Sequence, residues 1–192
     1  MIILQGEIIK IPEPCVLTVG KFESIHRGHQ ALIAEMKNYS LPSTLVVFDP
    51  HPYQLFVNPD YKPILTNQQR ANLLAEMGID YLVEYPFTRD FAALSPKGFC
   101  HILFNDLQAR VVVVGEGFCF GRNRAGTIET LKLHAQPAGA QVKVLTPQQD
   151  GEKKISTSAI RALISEGKML EAEDLLGWQL GFRNFDKSAP AL

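Results

Sequence analysis

Short apolar runs rich in β-branched residues recur along the chain at positions 16–19, 44–48, 81–83, 111–114 and 142–145, and stretches with helical spacing separate them. Runs that are apolar throughout, without alternation, fit strands buried on both faces. The order therefore predicts an α/β fold, a parallel sheet with helices on both faces. Helix starts are marked by local chemistry. Leu32, Ile33 and Met36 share one side of a helix that begins near Gly28. Thr66-Asn67-Gln68-Gln69 has capping-box form, and Ser95-Pro96 sets an N-cap before a first-turn proline. Ser156-Thr157-Ser158 opens a helix with Ile160, Leu163 and Ile164 on one face, and Gly167 and Gly177 mark helix ends. The pattern reads as one domain over residues 1–182, followed by a polar, aperiodic tail at 183–192 that is expected to fray.

Composition narrows this little. The 192 residues carry Lys+Arg 19 against Asp+Glu 20, so no broad polyanion-binding surface is expected and nucleic acid is a poor partner. Cys15, Cys100 and Cys119 are odd in number, widely spaced and set among apolar neighbours, as expected of reduced core thiols in a cytoplasmic protein. The first ten residues lack the pattern of a secretion signal, and no apolar stretch approaches the ~20 residues of a membrane span.

Candidate chemistry sits at the ends of the predicted strands. Gly20-Lys21-Phe22-Glu23-Ser24-Ile25-His26-Arg27-Gly28-His29 joins a strand to a helix whose first N–H groups lack internal partners and favour anions. Gly28 would let a polyphosphate approach the backbone, and His26 and His29 could donate ring N–H groups to it. The alternatives are ordinary packing histidines or half of a zinc site; His51, His101 and His134 lie far off in sequence, and no C-x-x-C accompanies them. Asp49-Pro50-His51-Pro52 ends another strand, with its prolines expected to hold His51 in a rigid extended loop. From Gly115 to Gly126 a strand runs into a glycine-rich loop. Phe118 and Phe120 offer flat apolar faces there, one of them expected to plug the core, and Arg122 and Arg124 offer phosphate-binding forks. Ser156, Thr157 and Arg161 could bind and neutralise phosphate at a further helix start, or serve as plain capping residues.

In this order the stretches resemble the FMN adenylyltransferase (FAD synthetase) module of bacterial bifunctional riboflavin kinase/FAD synthetases, within the H-x-G-H nucleotidyltransferase superfamily. The family pattern, roughly G-x-F-D-G-x-H-x-G-H, F-[DE]-P-H-P, V-G-x-[DN]-F-x-F-G-x-x-R-x-G and I-S-S-T-x-I-R, is met between Gly20 and Arg161. The resemblance implies a Rossmann-like fold and transfer of AMP from ATP, with Mg²⁺, to FMN, giving FAD and pyrophosphate. It implies ATP contacts at Gly20, Phe22, His26, Gly28, His29 and Gly115, with Ser156, Thr157 and Arg161 on the opposite side. His26, His29 and Arg161 would be catalytic, with no metal-ligating side chain. Asp49, Pro50, His51, Pro52, Phe118, Arg122 and Arg124 would border the flavin. Partners would be small-molecule nucleotides.

Glu23-Ser24 replaces the family's Asp-Gly, Gly117 replaces Asp or Asn, and Thr127 stands where Asp or Asn is common. These departures are expected to slow turnover, with backbone strain at Ser24 among the causes. The residues after the pattern are too few for a riboflavin kinase module, so FMN formation from riboflavin is not expected. A different phosphorylated acceptor, or a binding module without turnover, remain the alternatives.

Overall fold

The computed structural model describes residues 1–146, 149–150 and 153–180. Strands β1 (Ile2–Gln5) and β2 (Cys15–Val19) are followed by helix α1 (Arg27–Met36) and strand β3 (Ser43–Asp49). Helices α2 (Pro52–Phe56) and α3 (Asn67–Glu76) then lead to strand β4 (Tyr81–Pro86). Next come α4 (Arg89–Ala92), α5 (Pro96–His101) running into a π-turn at Ile102–Asp106, and strand β5 (Ala109–Gly115). Helix α6 (Ile128–Ala135) precedes β6 (Gln141–Leu145), a two-residue ladder of β7 (Gln149–Asp150) with β8 (Lys153–Lys154), and helices α7 (Thr157–Ser165) and α8 (Met169–Leu176).

Six strands form one parallel sheet in the order β1-β4-β3-β2-β5-β6. All five strands read from the sequence are in it. The sheet was expected to start at residue 16; instead Ile2 to Gln5 adds an edge strand beside β4, paired Ile2 to Tyr81 through Gln5 to Glu84. Four residues with half-exposed isoleucines carry too little pattern to announce a strand, and its pairing partner lies far along the chain. The 183–192 tail lies outside the described residues.

Alternate residues of the central strands feed two cores, the physical reason for their uninterrupted apolar runs. Leu17, Val19, Val112 and Val114 face a core completed by Phe99, Leu103 and Leu131, whereas Val16, Val111 and Val113 face Ile33, Met36 and Leu74. A third cluster joins Ile160 of α7 to Ala172 and Leu176 of α8 and to Ile64. The predicted caps form: Thr66 and Gln69 make a reciprocal capping box, Ser95 accepts from the Gly98 N–H, and Gly177 ends α8 at φ +73°.

The chain moves from β2 to β3 on one side and later returns to place β5 on the other. Open parallel sheets bind ligands beyond the carboxyl ends of the strands at such a switch. Gly20 and Gly115 stand at those two ends.

Candidate active site

The turn after β2 is held from below. Phe22 and Ile25 take left-handed backbone angles, φ +46° and +42°, and both side chains are fully buried with Ile33 and Leu74. Such angles cost a bulky or β-branched residue ~1–3 kcal/mol, a strain typical of functional turns. Ser24, between them, has no positive φ, so the strain expected there is absent and the family's glycine is not conformationally required.

His26 caps α1: its Nδ1 accepts the His29 N–H at 3.3 Å, and its ring stacks on His29 with centroids 3.8 Å apart. That acceptor role leaves the neutral ring's proton on Nε2. Burial pulls His26 down to about 4 and His29 well below the usual imidazole range, so both rings are neutral at pH 7. His29 Nδ1 is enclosed without a hydrogen-bond partner. Gly28 does more than leave the backbone open: a Cβ there would lie 3.1 Å from the His26 ring, so the missing side chain also seats the imidazole.

A cavity of about 260 Å³ opens over this turn, lined by Gly20, Phe22, His26, Gly28, His29 and Gly115, together with Glu116, Gly117, Phe118 and Thr146. Six residues drawn from two distant sequence stretches thus meet around one cavity. Phe22 contributes from beneath, tilted against His29 at 4.4 Å.

A second cavity, about 630 Å³, shares Val19, Gly20, Gly117 and Phe118 with the first. Phe48, Phe56, Phe87, Phe91, Phe99, Phe118 and Phe120 line it, with Lys21, Pro52, Asn123 and Arg124. Phe120 is the one buried in the core, and Phe118 is half-buried. A Cβ at Gly126 would come within 2.6 Å of the Phe120 ring, so that glycine closes the loop over it. Of the residues expected beside a flavin, Pro52, Phe118 and Arg124 line this cavity. Asp49 and Pro50 are exposed outside it, joined by a cis peptide, and Arg122 is exposed with its N–H on the Leu94 carbonyl. The phenylalanines after β3 and β4 escaped the sequence reading; aromatic residues clustering just past strand ends were the available signal.

His51 has the extended backbone expected of it, φ −57° and ψ 136°, between β3 and α2, but its side chain does not stand open. It is buried, and it caps α2, its Nδ1 accepting the Tyr53 N–H at 3.2 Å. Its Nε2 lies 3.6 Å from Glu23, beyond a hydrogen bond, and the acceptor role of Nδ1 shows the ring to be neutral. Burial, then the charges of Lys21, Arg161 and Arg70, hold its pKa at about 3.

Glu23 centres a buried cluster. The Tyr61 hydroxyl donates to its carboxylate at 2.7 Å, and Arg161 Nη2 lies 3.4 Å away. Arg161 also donates to the Lys62 carbonyl at 2.6 Å, and its guanidinium sits 4.4 Å over the Tyr61 ring. Burial and the neighbouring carboxylate raise the Tyr61 hydroxyl well above its usual pKa. Ser24 Oγ meets Thr157 Oγ1 at 2.9 Å, the Trp178 indole N–H donates to the Ser24 carbonyl, and Ser156 caps α7 by accepting the Ala159 N–H. Ser156, Thr157 and Arg161 therefore do not line either cavity. In this structure Thr157 and Arg161 tie α7 to the β2–α1 turn through Ser24 and Glu23, whereas Ser156 only caps α7.

Among the described residues no three His, Cys, Asp or Glu side chains gather to hold a metal ion. Cys15 and Cys100 are buried, their thiols pushed up to about 11 chiefly by burial, but Cys119 is exposed at the aromatic cavity and is not the core thiol expected. No described helix is long and apolar enough to cross a membrane.

A sequence model of the FAD synthetase family matches residues 8–159. The chain is 33% identical over 171 residues to the bifunctional riboflavin kinase/FMN adenylyltransferase of Escherichia coli K12, covering 86% of this chain and 55% of that protein. It therefore spans about half of that relative's length. It is 32% identical to an FAD synthetase of Listeria monocytogenes, covering 84% of this chain and 68% of that one. The crystal structure of a macrolide-efflux protein from Streptococcus pneumoniae superposes with a TM-score of 0.84 at 28% identity, covering 93% of this chain and 62% of that one. A pantoate-β-alanine ligase from Francisella tularensis shares the fold at TM-score 0.56 and 14% identity, covering 88% of this chain and 78% of that one.

Proposed function

Because this chain belongs to the FAD synthetase family, we propose that it transfers AMP from ATP to the phosphate of FMN, releasing FAD and pyrophosphate. The observation that carries this reading is the wall shared by the two cavities. One cavity offers neutral imidazoles and a helix N-terminus, as a triphosphate requires. The other offers phenylalanine faces for a planar ring.

In the reaction an FMN phosphate oxygen bonds to the α-phosphorus as the bond to the α–β bridging oxygen breaks, and the pair of electrons leaves with pyrophosphate. No covalent enzyme intermediate is needed. The His26 Nε2–H and the Arg27 and Gly28 N–H groups at the start of α1 supply hydrogen bonds that stabilise charge on the phosphate oxygens, while the shared wall sets the line of attack. Mg²⁺ would come in on the ATP phosphates, which supply oxygen ligands to it in such sites. An exposed, unpaired Cys119 suits a reducing compartment such as the cytoplasm.

Incubating purified protein with ATP, Mg²⁺ and FMN and separating products by chromatography tests this. FAD and pyrophosphate in equal amounts support the reading; ATP binding without FMN binding points to another phosphorylated acceptor. A second reading, binding without turnover, is favoured by one observation: Arg161 is engaged by Glu23 and Lys62 rather than open to a ligand. Binding of both ATP and FMN with no FAD formed would select it.

A further inference from the structure

We propose that Lys21 binds the phosphate of the acceptor, an assignment that rests on the flavin reading above and names the residue that would distinguish FMN from unphosphorylated riboflavin. If the acceptor's ring lies among the phenylalanines, its phosphate must reach the wall shared with the nucleotide cavity, at Val19, Gly20, Gly117 and Phe118. Lys21 follows Gly20 directly and lines the aromatic cavity.

Its direction is dictated by its neighbours. Gly20 donates its N–H to the Val46 carbonyl, keeping the backbone in the sheet up to that point, and Phe22 turns down into the core at φ +46°. Lys21 is left exposed at the cavity side of the turn. Only Lys21 and Arg124 carry positive charge in that lining, and of the two Lys21 is bonded directly to a residue of the shared wall, Gly20, whereas Arg124 stands six residues beyond Phe118. The nucleotide cavity itself offers neutral histidines and the carboxylate of Glu116. Among the described lining residues Lys21 is therefore the positive charge next to the place where two phosphates must meet.

Among the described residues no carboxylate pairs with Lys21, so its ammonium is available. Its charge reaches the buried turn, since after burial it is the largest influence holding His51 neutral. An ammonium donates up to three hydrogen bonds to phosphate oxygens without the planar constraint of a guanidinium, which suits a phosphate that must keep one oxygen free for attack.

The test compares flavin binding by fluorescence titration, using FMN and riboflavin, in the wild type and in Lys21→Met and Lys21→Arg. Steady-state KM values for FMN and ATP are measured alongside. The wild type should bind FMN more tightly than riboflavin. Lys21→Met should weaken FMN about ten- to a hundredfold, the range for a charge-assisted hydrogen bond, leave riboflavin unchanged, and raise KM for FMN but not for ATP. Lys21→Arg should recover part of the FMN affinity. If the wild type forms FAD but Lys21→Met keeps the preference for FMN, or loses both flavins equally, the assignment is wrong while flavin adenylylation stands. If the wild type binds ATP and neither flavin, the acceptor reading fails and Lys21 loses its assigned role with it.

Discussion

The His26 ring lies flat on that of His29, at an interplanar angle of 14°, while accepting the His29 backbone N–H. One imidazole thus caps the helix that carries the other. Any change at His26 alters both the start of α1 and the donors facing the cavity. His26→Ala should cost about 0.5–2 kcal/mol of stability through the lost cap. His26→Asn, which can cap, should restore stability without restoring ATP affinity. Urea unfolding and ATP calorimetry on the two variants separate the roles; equal ATP binding in all three proteins would remove His26 from the phosphate site.

Gly28→Ala should show the opposite balance. Alanine favours helix by about 1 kcal/mol over glycine, but its Cβ would press on the His26 ring at 3.1 Å. The variant is expected to melt no lower than wild type yet bind ATP several-fold more weakly, checked by thermal unfolding with and without nucleotide.

Acid should destabilise the protein through its buried histidines. His26 has its folded pKa lowered from 6.5 to about 4 and His51 to about 3, so between those values and 6.5 the unfolded chain binds more protons than the folded one. Stability is therefore full above pH 6.5 and falls as pH drops toward 4. The loss is about 3 kcal/mol by pH 4 for His26 alone, at ~1.4 kcal/mol for each pH unit separating its folded and unfolded pKa values. Urea midpoints measured from pH 7.5 to 4.5 should decline, and more gently in His51→Gln; a flat profile would show that these rings protonate freely in the fold.

Arg161→Ala should act on folding, contrary to the sequence-based expectation that Arg161 faces phosphate. Removing the guanidinium takes away the Arg161 partner of buried Glu23 and leaves it the Tyr61 hydroxyl and the neutral His51 ring, a loss of about 3–5 kcal/mol for a broken buried pair. Pairing the change with Glu23→Gln should recover part of that stability. A wild-type melting temperature for Arg161→Ala would instead return the arginine to a purely ligand-binding role.

Replacing Glu23-Ser24 by Asp-Gly should not speed turnover by relieving strain, because Ser24 has no left-handed backbone to relieve. A shorter acid would draw back from Tyr61 and Arg161, and a glycine would remove the contact with Thr157, together costing about 1–3 kcal/mol of hydrogen bonding. Thermal unfolding together with FAD formation at saturating substrates checks this. A faster enzyme of unchanged stability would show that the departures are defects rather than ties between the turn and α7.

Local pattern was enough to establish the layered α/β fold, because the central strands are buried on both faces and their valine runs record it. Helix caps were equally legible, since Thr66, Ser95 and Ser156 act on N–H groups three residues away. The gathering of Gly20, His26, His29 and Gly115 was accessible through motif order, as each stands at the carboxyl end of a strand or the start of the following helix. Tertiary structure alone decided the rest. Whether Arg161 meets a ligand or Glu23, whether His51 is exposed or buried, and which phenylalanines line the larger cavity all depend on partners tens of residues away. Tyr61 lies 38 residues from Glu23, and Arg161 lies 138. A buried charge is placed by the nearest opposite charge or carbonyl in space, and spacing along the chain carries no measure of that distance.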